Sequence, residues 1–269
     1  MSEQTETFSL SIEGAEAYEA RFVPRLFREW ADHVVGAADV SGGDEVLDVA
    51  CGTGVVARTA AERVEPGGRV VGVDLNEAML TVARRVAPEL EWRHADAADL
   101  PFDDGSFDAV LCQMALMFFP DRRAALAEMA RVVRDQGIVA VVVPAALSMQ
   151  PAYGPFVDVA VRHAGPEAAS LLGTYWSCGD AAELAAAVES AGLSVVACRT
   201  RTGTALFDSP DDLVATEVEG SPLVHRIDDE TYERIRADVR EALAPFVTAG
   251  GTFEAPLVGH VLTARRRTP

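Results

Sequence analysis

Between residues 45 and 143, short runs of β-branched and other apolar residues alternate with stretches whose apolar positions recur every three or four residues. The short runs predict strands at 45–49, 69–74, 91–95, 107–113 and 137–143, and the longer stretches predict helices at 55–64, 76–86 and 122–133. Pro66-Gly67-Gly68 and Asp103-Asp104-Gly105-Ser106 punctuate them as turns. Strand and helix in regular alternation build a mainly parallel sheet. Right-handed crossovers then place helices on both faces and align every strand's C-terminal end along one edge, where ligands bind in such sheets.

The flanks are less regular. Residues 15–35 read as helical, with Tyr18, Phe22, Leu26 and Trp30 at four-residue spacing along one face, and Pro24 is expected to start a second segment. After residue 143 the pattern fades into a Pro- and Gly-flanked helical stretch at 156–164. A helix at 181–191 and a strand at 193–200 follow. Two further helices, at 210–217 and 229–245, precede a last strand at 253–265 that Gly250-Gly251 turns back on its neighbour. The pattern predicts an α/β, doubly wound, mainly parallel seven-stranded sheet with an antiparallel last strand and helical cap insertions. The expected parts are an N-terminal helical segment at 1–43, a Rossmann-like ligand-binding core at 44–143, a lid at 144–180, and a C-terminal part at 181–269 with a helical insertion at 208–247.

Composition narrows the partners. A formal net charge of −19 opposes binding to a phosphate backbone, which depends on Lys and Arg displacing counterions. Arg265-Arg266-Arg267 is the one basic cluster and reads as a solvated tail. No nucleic-acid partner is expected. The longest apolar run, near 138–147, is too short to span a bilayer, and Met1–Glu6 is polar and acidic, so the expected location is cytoplasmic with no membrane partner. The chain contains no Lys, which excludes a Schiff-base lysine and the phosphate-reaching Lys of a P-loop. Cys51, Cys112, Cys178 and Cys198 are scattered without metal-ligand spacing, so they read as reduced, with no metal site.

The chemistry concentrates around the first strand. Glu45-Val46-Leu47-Asp48-Val49 is an apolar strand carrying an acid, and Ala50-Cys51-Gly52-Thr53-Gly54 is a tight turn opening a helix. Gly52 and Gly54 permit dihedrals and close ligand approach that a β-carbon would forbid. Asp74 closes the second strand about twenty residues later, where a carboxylate accepts hydrogen bonds from ribose hydroxyls. Asp96, just after the third strand, is placed to accept from an adenine amino group, with the Ala97 amide beside it. These acids and the glycine turn predict a site for a nucleoside-bearing cofactor. Gly52-Thr53-Gly54-Val55-Val56-Ala57 also satisfies the dinucleotide form G-x-G-x-x-A, which keeps a nicotinamide-dependent oxidoreductase open as an alternative.

Four segments, 46–54, 71–80, 94–102 and 106–111, resemble class I S-adenosylmethionine-dependent methyltransferases, in the order that family has them. The resemblance covers about one hundred residues, which is far more specific than the glycine motif alone. It implies that backbone around Ala50, Gly52, Thr53 and Gly54 receives the methionine part of S-adenosyl-L-methionine, with Asp48 ordering the loop or binding the ammonium. Asp74 would hold the ribose, Leu75 and Met79 would pack on the adenine, and Asp96 and Ala97 would read its edge. Gln113 and Met114 would lie near the sulfonium, and Tyr18 and Phe22 would close over the cofactor. The product would be S-adenosyl-L-homocysteine.

The stretch from Asp96 through Asp121 to Ala130 is most similar to quinone-biosynthesis and other small-molecule methyltransferases. Quinone enzymes carry Arg-Asn after the fourth strand, whereas this chain has Leu116-Met117-Phe118-Phe119, which argues against a quinone. The usual Pro-Gly-Gly turn before the fifth strand is Asp135-Gln136-Gly137 here, a change confined to a turn.

The expected reaction is methyl transfer to an O, N or C nucleophile of a small, apolar or aromatic molecule. Acceptor-side candidates are Met117 and Phe118 after the fourth strand, with Phe119 beside them, and Tyr153, Phe156, Tyr175 and Trp176 in the lid. His163 and His225 are candidate general bases, ranked above His33, His94 and His260, which sit in regular elements. A non-catalytic module that binds the same cofactor is the other alternative, and monomer and homodimer both stay open.

Overall fold

A computed structural model of the chain describes residues 10–219 and 221–267. The polar start read from Met1–Glu6 lies outside the described residues. The elements run in the expected order: α1 (Ile12–Ala17), a π-wound stretch Tyr18–Phe27, α2 (Arg28–Ala37), β1 (Glu45–Val49), α3 (Val55–Val64), β2 (Arg69–Asp74), α4 (Glu77–Val86), β3 (Glu91–His94), β4 (Phe107–Gln113), α5 (Arg122–Val132) and β5 (Val133–Pro144). Then come α6 (Tyr153–Ala164), α7 (Glu167–Gly173), α8 (Ala181–Ser190), β6 (Leu193–Phe207), α9 (Pro210–Val214), α10 (Asp229–Ala242) and β7 (Phe253–Arg266).

The seven strands form one sheet in the order β3-β2-β1-β4-β5-β7-β6. The first five are parallel, with Val46 opposite Val70 on one side and Ala109 on the other, and β7 lies antiparallel between β5 and β6. This is the doubly wound sheet that the pattern predicts. The strand order reverses between β1 and β4, so the two chains leaving their C-terminal ends diverge and open a crevice. Val46, Leu47, Val49, Val71, Val110, Leu111 and Val139 through Val143 are buried, as the β-branched runs require of strands covered on both faces.

Side chains start the helices where the turns demand it: Ser11 accepts from Gly14 N–H at 3.2 Å, Asn76 from Ala78 N–H at 2.9 Å and Asp121 from Ala124 N–H at 2.9 Å. Pro24 does not break the N-terminal helix into two, as the sequence suggests. Pro24 has no N–H to give the i−4 carbonyl, and the chain absorbs that loss by widening to π winding, with Arg28 N–H reaching the Val23 carbonyl.

The chain divides into two compact units. The first holds the residues up to Val143 with Ala181–Thr200 and the segment from His260 onward, and it carries the parallel strands. Within it α2 packs on α3, α1 on α4 and α5 on α8. The second comprises Pro144–Asp180 and Arg201–Gly259. In the second unit α6 packs on α7 and α10, and Gln150 ties the chain together by donating to the Ala145 and Val258 carbonyls and accepting from Val258 N–H, all within 2.9 Å. β6 runs beyond the expected 193–200 to Phe207, through the polar run Arg199–Thr204. No helix among the described residues is long and apolar enough to cross a membrane, and no group of His, Cys, Asp or Glu could hold a metal ion.

Candidate functional site

The C-terminal ends of β1 and β4 are marked by backbone in the left-handed region. Ala50 follows β1 at φ +55° and Met114 follows β4 at φ +51°, conformations that L side chains adopt at a cost of about 1–3 kcal/mol. Non-glycine residues held this way concentrate at ligand sites, and two of the four among the described residues, Ala50 and Met114, follow the strands that flank the switch point, the others being Asp39 and Gln136.

The loop between β1 and α3 is built for close approach. Cys51 N–H bonds the Val73 carbonyl at 2.9 Å and Gly54 N–H bonds the Cys51 carbonyl at 2.8 Å, closing the turn. Gly54 sits at φ +89° as the residue that starts α3 and has no side chain to cap it. Asp48 supplies the cap from within β1 instead: its Oδ2 accepts from Ala57 N–H, in the first turn of α3, at 2.9 Å. Only 1 % of Asp48 is exposed, and burial pushes its carboxyl up to about pH 8, with the nearby Asp74 charge adding to the rise and the Ala57 N–H opposing it. Asp48 thus stands as an orderer of the loop.

Trp92 on β3 explains two glycines. A Cβ on Gly54 would lie 2.2 Å from its Cη2, and a Cβ on Gly72 2.4 Å from its Cζ3. The indole cannot easily move aside, since its Nε1–H donates to the Ala87 carbonyl at 2.9 Å. Residue spacing gave no signal for Trp92, because its ring reaches across from another strand.

Asp74 links the loop to the second strand. Its Oδ2 accepts from Gly52 N–H and its Oδ1 from Asn76 N–H, both at 2.8 Å. Burial raises its carboxyl above the ordinary carboxylate range, opposed by these backbone donors and by His94. Each carboxylate oxygen can accept more than one hydrogen bond, so Asp74 keeps acceptor capacity for hydroxyl groups. Leu75 is 50 % exposed at this edge, an apolar platform, while Met79 is buried against Ala15 and Val82 with Tyr18 beside them. Asp96 is exposed after β3, with Oδ1 accepting from Ala98 N–H at 2.9 Å, and Ala97 is half-buried next to it.

The N-terminal arm is tied over the loop at four points. Asn76 Nδ2 donates to the Leu10 carbonyl at 3.2 Å, and Tyr18 lies where a Cβ on Gly52 would touch its ring at 3.8 Å. Arg58 donates to the Thr53 carbonyl at 2.7 Å and to Glu19 Oε1 at 2.9 Å, and Gln113 Nε2 donates to the Phe27 carbonyl at 3.1 Å. Tyr18 stacks on Phe22 and Phe27 at 5.9 and 5.1 Å. Tyr18 and Asp74 therefore both meet the loop at Gly52.

Four buried polar atoms in this region have no hydrogen-bond partner among the described residues: Glu19 Oε2, Trp30 Nε1, Thr53 Oγ1 and Gln113 Oε1. Native interiors leave few such atoms. Three are acceptors, on the arm, on the glycine loop and at the end of β4, and they suit a ligand rich in N–H and O–H donors, such as an amino-acid ammonium and ribose hydroxyls. S-adenosylmethionine fits this donor set. Thr53 stands in the glycine turn that the sequence marks, whereas Glu19 carries no signal in the motif and only its position in the fold singles it out.

The other candidates are scattered more widely. Met117 is buried in the 3-10 turn Leu116–Phe118, and Phe118 is half-buried. His94 Nε2 sits 2.8 Å from the Leu75 carbonyl, and His260 Nδ1 lies 3.0 Å from Thr200 Oγ1. In the second unit, Tyr153 is buried against Trp176 with ring centroids 5.1 Å apart, and Tyr175 precedes Trp176 in one turn. His163 Nε2 is 2.8 Å from Asp238 Oδ2, a bond that pins α6 to α10 and lowers the Asp238 carboxyl. His225 ends a short turn and is exposed. Glu217, not singled out in the sequence, lies in the π-wound turn Ala215–Glu219, and burial lifts its carboxyl to about 7.

Residues 47–141 match a family of methyltransferase domains. Over 177 residues the chain is 37 % identical to nocamycin O-methyltransferase of Saccharothrix syringae, covering 60 % of this chain and 63 % of that protein. Over 113 residues it is 41 % identical to demethylmenaquinone methyltransferase of Staphylococcus epidermidis, covering 41 % and 47 %. The chain thus matches less than two thirds of either relative's length. The YcgJ protein of Bacillus subtilis shares the fold, with a TM-score of 0.59 at 21 % identity, covering 90 % of this chain and 99 % of that one. With the glycine loop, the β1/β4 switch point and the acids on β1 and β2, residues 47–141 are similar to methyltransferase domains.

Proposed function

We propose that this protein transfers a methyl group from S-adenosyl-L-methionine to an O, N or C nucleophile of a small, apolar or aromatic molecule, leaving S-adenosyl-L-homocysteine. The observation that carries this reading is the cradle at the β1/β4 switch point, where Asp48 orders the loop, Asp74 faces it with acceptor capacity, and buried acceptors on Glu19, Thr53 and Gln113 lack protein partners. The bound donor supplies an already activated, electrophilic methyl group. What remains for the protein is binding, alignment and exclusion of water, and alignment alone is worth up to about 7–11 kcal/mol in well-oriented reactions.

In this reading the backbone of Ala50, Gly52 and Gly54 receives the methionine part and Asp74 accepts from the ribose hydroxyls. Leu75 covers the adenine, the Asp96 carboxylate and Ala97 amide meet its edge, Gln113 and Met114 line the sulfonium end, and Tyr18 closes over the loop. Residues 144–180 act as the lid and contribute Tyr153, Tyr175 and Trp176 on the acceptor side. Support for a small-molecule acceptor comes from the relatives, whose names identify an antibiotic-type and a quinone-type methyltransferase.

The test is to incubate the purified chain with methyl-labelled cofactor and a metabolite extract and to identify labelled products by mass spectrometry. The reading expects a labelled small molecule that is absent without protein. Tight binding of S-adenosylhomocysteine with no labelled product across broad extracts would favour a non-catalytic binding module instead.

A further inference from the structure

The connection from β3 to β4 has to cross β2 and β1, three strand spacings or about 14 Å, and it does so without a helix. Residues 95–106 therefore lack a ladder of their own, and their backbone groups must find partners elsewhere. One end is fixed by Ala95 N–H on the Asp74 carbonyl at 3.1 Å. The other is fixed by two side chains of α5, Glu128 and Arg131, which lie one turn apart on the same face of that helix.

Glu128 Oε2 accepts from Leu100 N–H at 2.8 Å while Arg131 Nη2 donates to the Leu100 carbonyl at 2.9 Å, so the pair takes both backbone groups of a residue whose side chain is buried. Arg131 Nη1 donates to the Phe102 carbonyl at 2.7 Å and to Asp104 Oδ1 at 3.0 Å, and its Nε and Nη2 each donate to Glu128 at 2.7 Å. All five N–H donors of the guanidinium are thereby used. The Arg131 carbonyl also accepts from Gly105 N–H at 2.9 Å. The guanidinium holds the Glu128 carboxyl below its ordinary range, so the grip on the loop is charge-assisted. Between the two fixed ends lies the turn 96–99, closed by Asp96 Oδ1 accepting from Ala98 N–H at 2.9 Å and the Asp96 carbonyl accepting from Asp99 N–H at 3.0 Å. Leu100 is the next residue, so where α5 holds it decides where this turn sits.

We propose that Glu128 and Arg131 are positioning residues that set the purine specificity of the cofactor site, by fixing through Leu100 the turn that carries Asp96 and Ala97. The assignment rests on the reading above in which those two residues meet the adenine edge. There the Asp96 carboxylate accepts from the 6-amino group and the Ala97 amide donates to the adjacent ring nitrogen. Hypoxanthine presents a carbonyl to the first and an N–H to the second, so a turn held in place rejects it twice. A turn released from α5 can shift away from both mismatches and loses the distinction.

The experiment is isothermal titration calorimetry of S-adenosylhomocysteine and S-inosylhomocysteine on the full chain, with hydrogen exchange read by mass spectrometry on the same proteins. The unmodified chain is expected to prefer S-adenosylhomocysteine by at least about tenfold. Arg131→Met, which keeps the stem without the donors, and Glu128→Ala should each cut that preference below about threefold. Glu128→Gln, whose amide oxygen still accepts from Leu100 N–H, should retain most of it. Exchange should quicken in residues 95–106 of Arg131→Met and Glu128→Ala and stay unchanged in α3. An undiminished preference in those two variants, exchange in 95–106 no faster than in the unmodified chain, or faster exchange spread through α3 as well would overturn the positioning role. Equal binding of the two ligands by the unmodified chain would instead overturn the adenine assignment of Asp96 and Ala97, and absence of S-adenosylhomocysteine binding would overturn the cofactor reading itself.

Discussion

Gly52, Gly54 and Gly72 separate two physical reasons for glycine, and substituting each by Ala should resolve them. At Gly52 only conformation is at stake: φ is +56°, and a new Cβ would meet the Tyr18 ring at an ordinary 3.8 Å. At Gly72 only space is at stake, since φ is unremarkable and the Cβ would lie 2.4 Å from Trp92 Cζ3 and 3.0 Å from Cys51 Sγ. Gly54 combines both, with φ +89° and 2.2 Å to Trp92 Cη2. A left-handed Ala costs about 1–2 kcal/mol and overpacking about 1–3 kcal/mol, less about 0.4–1 kcal/mol recovered from a stiffer unfolded chain. Gly52→Ala and Gly72→Ala should each lose roughly 1–2 kcal/mol and Gly54→Ala roughly 2–4 kcal/mol of unfolding free energy. Urea denaturation measures this, with the slope checked for constancy. Adding Trp92→Leu should reduce the cost of Gly72→Ala and of Gly54→Ala by about 1 kcal/mol or more, and leave that of Gly52→Ala unchanged. If Gly54→Ala proves no worse than Gly52→Ala, or if Trp92→Leu relieves neither clash, the packing account of this loop is wrong.

Asp48 gives a pH signature. Its folded pKa of about 8 lies above the ordinary value of 3.8, so the folded chain holds a proton that the unfolded chain releases, and this contribution to stability is full below about pH 4 and lost as pH rises through about 8. Asp48→Asn keeps an acceptor for Ala57 N–H and should flatten that part of the stability profile measured by urea unfolding from pH 5 to 9; a profile as steep as the unmodified one would contradict it. Glu19→Gln removes the charge beside Arg58 and the buried Oε2 acceptor. It should weaken S-adenosylhomocysteine by roughly tenfold while changing 5′-methylthioadenosine, which lacks the amino-acid part, less than threefold. Equal losses for both ligands, read by calorimetry, would show that Glu19 acts only by holding the arm.

The parallel strands and the glycine loop were legible because their signals are local: β-branched runs, turn residues at fixed offsets, and acids at strand ends. Boundaries slipped where the apolar signal thins. β5 begins at Val133 rather than 137, directly from α5, because Arg134-Asp135-Gln136 interrupts the apolar run. β6 runs on to Phe207 through Arg199-Thr200-Arg201-Thr202-Gly203, which reads as loop. The N-terminal arm looked like two helices split by Pro24, since a missing N–H can end a helix or widen it and the sequence does not say which. Trp92 was invisible for another reason. Its significance lies in its packing against Gly54 and Gly72, on other elements, which no spacing rule encodes.

The central claim is that the β1/β4 cradle binds S-adenosylmethionine with Asp74 on the ribose. Calorimetry of S-adenosylhomocysteine and of NAD against the unmodified chain and Asp74→Ala tests it most directly. Two hydrogen bonds to a charged acceptor, at about 1.5–3 kcal/mol each, predict a loss of about a hundredfold or more for S-adenosylhomocysteine in Asp74→Ala, with NAD bound by neither protein. Undiminished S-adenosylhomocysteine affinity in Asp74→Ala, or binding of NAD in its place, would contradict the account.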